Sequence, residues 1–396
     1  MKTVSAAQIR AWRWKRQGFG GKRGKRAAAI LEASGWMRSV GGSGPYLGLF
    51  ARGRLSRVAV DAAALALEIH ELPSARGCTY VVAREDFALA LRAGQGHSEA
   101  ASIATAKKYL GVTDKELERL TGKIVDALAG GPLDPKQLKD ALGDAVRHLG
   151  DEGKKRGTTT TLSLGLGFLQ SRGEIRRVPA DGRLDRQRYQ YARWTPSPLT
   201  HRQLDDAEVA RELARRFFRW VAPASVAQFA AWAGLGARAS RAAVAELGVL
   251  PLADGDGRLA FAEDLDELRA TKGASGVELV GSLDNLFHAR REVVSMLDDQ
   301  DAARKLPGKK ATVGALAELD HHAIVEGGRI VGLWDFDAEA QQIVWATFGK
   351  AGSEVAPAVA EMESFVRDQL GDARSFSLDS PESRGDRLDA LRALRR

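Results

Sequence analysis

Three times along this chain a pair of helical segments runs into a short extended hairpin, and that recurrence narrows the folds open to it. In the first pass Ser5 is a good cap for a helix over Ala6–Lys15, which Gly18, Gly20 and Gly21 break. A helix around Lys25–Ala33 ends at Gly35, Asp61 caps a helix over Ala62–His70, and Thr79–Val82 reads as a strand. In the second pass Thr113 and Asp114 precede a helix over Lys115–Leu128, and Gly130-Gly131-Pro132 stops it. Asp134 and Pro135 open Lys136–Leu149, and Thr161 caps Leu162–Ser171, which Gly173 ends. Ile175–Val178 and Tyr189–Trp194 then form a hairpin, with a turn at Ala180-Asp181-Gly182. The third pass has helices over Ala207–Val221, Ser225–Ala233 and Ala239–Leu247. Its strands, Leu250–Leu252 and Leu259–Phe261, are joined by Asp254-Gly255-Asp256-Gly257.

A three-helix unit buries one apolar face, a hairpin closes its open end, and the last helix is left free to enter a groove. That is the logic of a winged helix. The spacing of Leu213, Phe217, Trp220 and Val221 puts these side chains on one core face. From Gly276 the pattern changes to short extended runs, Val277–Val280, Ala323–Val325, Arg329–Phe336 and Gln342–Thr347. Tight turns at Glu326-Gly327-Gly328 and Asp337-Ala338-Glu339 separate the last three. An amphipathic helix over Val355–Leu370 and a polar tail from Asp379 follow. The fold class expected is α+β, mainly α: three tandem winged-helix units over 1–110, 111–200 and 201–270, then a small β-rich C-terminal domain with a terminal helix over 271–396.

Charge is placed unevenly. The first 57 residues hold thirteen Lys/Arg and one acid, Glu32, a local +12 on a chain whose net charge is +8. Trp12, Trp14, Phe19 and Trp36 are interleaved with these bases. Cations attract phosphates and flat rings stack on bases, so the segment reads as a nucleic-acid surface, with Arg10, Arg13, Lys15, Lys22, Arg23, Lys25 and Arg26 as contacts. The plainer alternative is a solvated face. In the second hairpin Arg172, Arg176, Arg177, Arg183, Arg186, Arg188 and Arg193 outnumber Glu174, Asp181 and Asp185, a second place where phosphates could be held. The single cysteine, Cys78, excludes an internal disulfide and any multi-cysteine metal site. No cofactor loop is apparent. Gly41-Gly42-Ser43-Gly44 lacks the Lys-Ser/Thr ending of a nucleotide loop, and the adjacent His321 and His322 would point to opposite faces of an extended segment. With no secretory segment and no bilayer-length apolar run, the expectation is a soluble, cytoplasmic, monomeric protein. The richness in Ala, Arg and Gly suggests a bacterial source.

Three groups of residues carry a resemblance. They are Gly35–Ser39, Pro45–Arg52 and Pro73–Tyr80 near the N-terminus, Asp206–Leu247 in the middle, and Ser282–Leu286 with Arg290-Arg291 and His321–Trp334 near the end. In order and spacing the chain resembles the winged-helix family of bacterial crosslink-repair DNA glycosylases, the AlkZ-like family. The resemblance implies double-stranded DNA as partner and hydrolysis of the N-glycosidic bond of an alkylated or crosslinked base. It also implies contacts from Trp36, Arg38, Tyr46 and Arg76, although Trp36 and Tyr46 also fit a packing role.

The family places a Gln-x-Gln or Gln-x-Asp pair where this chain has Met37-Arg38-Ser39. Neither Met37 nor Arg38 orients a water as an amide or carboxylate does, and Ser39 is a poor base at neutral pH. Glu32 is the only acid in the segment and the one substitute it offers, against a reading as an exposed helix residue. A non-catalytic, damage-recognising or regulatory DNA-binding protein is therefore the alternative function.

Overall fold

The computed structural model describes residues 4–21, 24–200, 204–252, 255, 257–307 and 310–395. Lys22, Arg23 and two members of the expected third-hairpin turn, Asp254 and Asp256, lie outside the described residues. Helix α1, Ala6–Arg16, starts in a capping box: the Ser5 hydroxyl accepts from the Gln8 N–H while the Gln8 side chain accepts from the Ser5 N–H. Helix α2, Ala27–Ser34, stops at Gly35, whose φ of 101° suits glycine. Strand β1 is Met37–Arg38, followed by α3, Gly44–Gly53, and α4, Arg57–Leu65. Strands β2, Ile69–Pro73, and β3, Thr79–Ala83, complete an antiparallel sheet of order β1-β3-β2.

This differs from the single helix expected over Ala62–His70. Ser56, not Asp61, caps α4, its hydroxyl accepting from the Ala59 N–H. The chain then leaves the helix through Leu67, at φ 53°, and Ile69 and His70 pair in register with Ala83 and Val82 of β3. Cross-strand pairing overrides the local helical pattern there. The expected helix over Lys136–Leu149 is cut short: it spans Pro135–Leu142, because Gly143 turns the chain at φ 50°, and a separate short helix, Gly150–Lys155, follows beyond its expected end. Helices Phe87–Gly94 and Ser98–Leu110 were not expected.

The middle of the chain follows the expected order closely. Helices Asp114–Ala127, Pro135–Leu142 and Thr161–Ser171 and the hairpin β4, Ile175–Pro179, with β5, Tyr189–Arg193, close on one core that includes Leu120, Leu138, Leu166, Ile175 and Tyr191. Helices Asp206–Val221, Val226–Ala233 and Ala237–Ala245 precede the hairpin β6, Val249–Pro251, with β7, Leu259–Phe261. Their core is shared with the N-terminal sheet, since Phe217 and Trp232 pack in one cluster with Trp12, Trp36 and Tyr80.

The C-terminal sheet is antiparallel, in order β11-β10-β9-β8, from β8, Val277–Val280, β9, His322–Glu326, β10, Arg329–Asp337, and β11, Gln342–Thr347. Trp334 and Phe336 pack with Val359 and Phe365 of the helix Val355–Phe365, and Leu333 with Leu388 and Leu391 of the terminal helix Gly385–Leu394. The protein is thus mainly helical with small antiparallel sheets. Among the described residues no helix is long and apolar enough to cross a membrane.

Candidate active site

The sheet β1-β3-β2 is a wall between two cores. Leu72, Tyr80 and Val82 face one of them, and Met37, Ile69 and Val81 face the other. Strand alternation therefore sends Met37 and Ser39 to the second face and Arg38 to the first. Met37 packs against Gly48 of α3, where a Cβ would stand only 2.9 Å from the Met37 sulfur. The Ser39 hydroxyl reaches across the sheet and donates a 2.5 Å hydrogen bond to Glu71 Oε1 on β2. Register explains the meeting, because Val81 pairs with Met37 on one side and with Glu71 on the other.

Glu71 is buried, and its Oε2 makes no hydrogen bond of standard geometry. Burial pushes its carboxyl pKa up; the Ser39 hydroxyl, the Arg177 charge and the Tyr189 hydroxyl pull the other way. Arg177 and Tyr189 come from β4 and β5, so the second hairpin closes over the first sheet, the Arg177 guanidinium lying 5.2 Å over the Tyr189 ring. Burial and the neighbouring carboxyl push the Tyr189 phenol up, so it stays a donor. Beside the carboxyl is a cavity of about 70 Å³, lined by Glu71, Asp61, His70, Arg176, Tyr189 and exposed Leu65 among others. A space of that size has room for water, and Glu71, Tyr189 and Arg176 supply polar groups on a wall that is otherwise mostly apolar. A carboxyl next to such a space can orient a water and balance positive charge that develops nearby.

Of the residues singled out in the sequence, Ser39, Arg176 and Arg177 reach this point, and most of the others do not. The Glu32 side chain is exposed on α2, and its carbonyl accepts from the Trp220 indole. Trp36 is a core residue: its indole N–H donates to Asp86 at 2.8 Å and its ring lies 5.6 Å from Trp220 and 5.7 Å from Trp232. Tyr46 is buried, donating to Asp61 and accepting from the Leu184 N–H. Arg176 lines the cavity, Arg38 lies over the Tyr80 ring, and Arg76 is half-buried in the β2–β3 turn.

The basic N-terminal segment is largely spent on interior contacts, which corrects the picture of one open cationic face. Arg10 pairs with Asp298 at 2.8 Å, and Arg13 is buried and donates to the Pro223 carbonyl. Arg16 bonds the Arg219 carbonyl, and Arg52 is buried against Asp284. Trp12, Trp14 and Phe19 are buried with them. Lys15, Lys25 and Arg26 remain exposed, Arg26 facing Glu68. In the second hairpin region Arg172 pairs with Glu174, Arg183 with Asp185 and Arg186 with Asp181, while Arg188 and Arg193 are exposed. The glycine loop at 41–44 is packed rather than open: Ser43 N–H donates to the Arg374 carbonyl and Ser377 N–H to Val40. His322 is buried, accepting from the Ser282 N–H and meeting the Ala373 carbonyl, and no group of three metal-ligating side chains occurs among the described residues.

Glu71 itself was missed in the sequence because it follows the stretch read as helix. One signal pointed to it. Ile69–Pro73 is a five-residue run with a proline stop, set five residues before the clear strand at Thr79, which is hairpin spacing.

Comparison with known proteins fits this architecture. The family model described as "DNA glycosylase AlkZ-like" matches residues 41–365, starting two residues after Ser39. No curated protein matches the sequence. Among solved structures the fold is similar to that of Streptomyces sahachiroi DNA glycosylase AlkZ, at TM-score 0.68 and 19% identity, over 94% of this chain and 98% of that one. With most of its length matched by the family model, the chain belongs to the AlkZ-like DNA glycosylase family.

Proposed function

We propose that this protein is a monomeric, cytoplasmic DNA glycosylase that binds damaged double-stranded DNA through winged-helix units and hydrolyses the N-glycosidic bond of an alkylated or crosslinked base. The observation that carries the reading is the buried Glu71 carboxyl, held by Ser39, a residue of the stretch to which the resemblance assigns the family's pair. In the carboxylate form Glu71 orients a water toward C1′ of the sugar and takes its proton as the bond to the base breaks. The electron pair of that bond leaves with the base, and a cationic N7-alkylpurine departs neutral without an acid catalyst. Carboxylate charge also opposes the positive charge that builds on the sugar.

The test is a duplex carrying N7-methylguanine, incubated with the pure protein and then cleaved at abasic sites. Strand cleavage by the wild type, reduced about 100-fold or more by Glu71→Gln, is expected from the usual contribution of a general base. No cleavage above background across alkylated and crosslinked duplexes defeats the enzymatic reading. The second reading, a non-catalytic damage-recognising or regulatory protein, is favoured by Met37 and by the closure of Tyr189 over Glu71. It expects salt-sensitive DNA binding with no turnover.

A further inference from the structure

The face of the sheet opposite Glu71 gathers a different set of charges. Arg38 leaves β1 on that side, its guanidinium 5.5 Å over the Tyr80 ring. Arg76 is brought in by the β2–β3 turn, and the turn His288–Arg290 with Arg291 supplies an imidazole and a third guanidinium. The charges of Arg76 and Glu318 act on Arg38, and those of all three arginines and Glu318 act on buried His288. Glu318 stands 3.7 Å from His288 Nδ1 and 3.8 Å from Arg291 Nε, too far for a hydrogen bond to either. Glu318 is a carboxylate whose charge acts on both Arg38 and His288.

Two further observations mark the cluster as a binding site. Arg76 Nε is buried and makes no hydrogen bond of standard geometry, and buried Arg38 Nη1 has only the Tyr80 hydroxyl acting on its guanidinium, although a buried guanidinium N–H nearly always finds an acceptor. The backbone is also strained at two of its members. Arg76 at φ 59° and Arg291 at φ 53° are two of only five non-glycine residues with positive φ among those described. Strain of this kind persists where surrounding structure holds a side chain to a task. That support is visible at Gly234, where a Cβ would lie 2.7 Å from Arg76 Cγ. Gly234 is the turn between helices Val226–Ala233 and Ala237–Ala245, and the second of these exposes Arg238 and Arg241.

Guanidinium forks with spare donors match a tetrahedral oxyanion, and the adjoining basic helix extends the surface beyond a single ion. We propose that Arg38, Arg76 and Arg291 form a clamp for a backbone phosphate of duplex DNA, with Glu318 as the counter-ion the phosphate displaces. The proposal rests on the DNA-binding part of the function above and not on turnover.

The experiment is fluorescence anisotropy of a labelled duplex, titrated with the full-length protein between 50 and 200 mM salt. Arg76→Gln with Arg291→Gln is expected to weaken binding at least tenfold at the low-salt end and to reduce the slope of log affinity against log salt by about two. Glu318→Gln is expected to tighten binding severalfold, since it frees the same donors. Wild-type affinity and slope in the folded double variant, or unchanged affinity in Glu318→Gln, overturns the proposal. Should the double variant fail to fold, Glu318→Gln decides alone. Displacement of the duplex by millimolar inorganic phosphate, with loss of the salt slope, would instead assign the site to free phosphate. Glu71→Gln is expected to bind like the wild type, so absence of turnover and failure of the clamp are separate results.

Discussion

The Arg52 guanidinium holds the Asp284 carboxylate through two hydrogen bonds of 2.7 and 2.8 Å, with both groups buried. Arg52 also donates to the backbone and side-chain oxygens of Gln17 and lies 4.4 Å over the Phe19 ring. One side chain thus ties α3, the end of α1 and the loop after β8 together. Removing either charge strands the other in a dry site, which costs about 3–5 kcal/mol. Arg52→Ala and Asp284→Ala are expected to lower the melting temperature by several degrees or more in thermal denaturation. Arg52→Lys is expected to rescue little, because an ammonium cannot make the paired contact.

Trp36 sits in the core that joins the N-terminal sheet to the helices of the third group, and Gly35 beside it is close-packed. A Cβ on Gly35 would lie 2.9 Å from the Asn285 amide and 3.0 Å from the Trp220 ring, at a φ of 101°. Trp36→Ala is expected to destabilise the fold by about 3–5 kcal/mol, measured by denaturant titration. DNA affinity of the molecules that stay folded should change little. A selective loss of binding at wild-type stability would instead make Trp36 a base-stacking residue.

These two residues show how far the sequence could be read. Helix caps and glycine stops are local signals, so Ser5, Gly35 and the box formed by Asp134 and Gln137 place helices correctly. The β4–β5 hairpin was legible for the same reason. Charge was misleading because a sequence does not say which way an arginine points. Arg10, Arg13 and Arg52 look like surface cations until Asp298, the Pro223 carbonyl and Asp284 arrive from residues far along the chain. Glu71 was hidden by a non-local cause as well, since β2 exists by pairing with β3 and not by its own propensity. Ser39 was singled out in the sequence, while the carboxyl that meets it lay two strands away.

Buried titratable groups make stability depend on pH below neutrality. Asp335 is buried on β10, both carboxyl oxygens lack standard hydrogen bonds, and burial lifts its pKa from 3.8 to about 7 despite Arg387 nearby. Its folded-state pKa is raised, so its contribution is complete below pH 3.8 and fades as pH climbs through about 7. Three buried histidines act in the opposite sense. Burial lowers His70 from 6.5 to about 3, and His288 and His322 to about 4, so their contribution is complete above pH 6.5 and lost as pH falls below it. Between pH 3.8 and about 7 the two effects oppose one another: the three histidines raise the melting temperature with rising pH, Asp335 lowers it, and both effects are complete above about pH 7. Asp335→Asn is expected to steepen the rise of melting temperature between about pH 4 and 7, by removing the opposing slope, and to leave the alkaline side unchanged.

The proposed glycosylase reaction should carry the pH dependence of Glu71. Burial holds the Glu71 pKa up, and the Ser39 hydroxyl is the largest influence pulling it down, ahead of Arg177 and Tyr189. Both hydroxyls stabilise the carboxylate, the form that takes a proton from water. Removing either makes the carboxylate harder to reach, so the acid limb of the pH–rate profile moves to higher pH. Ser39→Ala is expected to shift that limb upward by on the order of one unit, as the loss of a charge-assisted hydrogen bond of about 1.5–3 kcal/mol would. Tyr189→Phe should move it the same way by less. Single-turnover rates measured between pH 5 and 9 read the shift, and the plateau at high pH should be retained by both variants. A plateau that drops while the limb stays in place would mean that Ser39 holds the water itself rather than tuning Glu71.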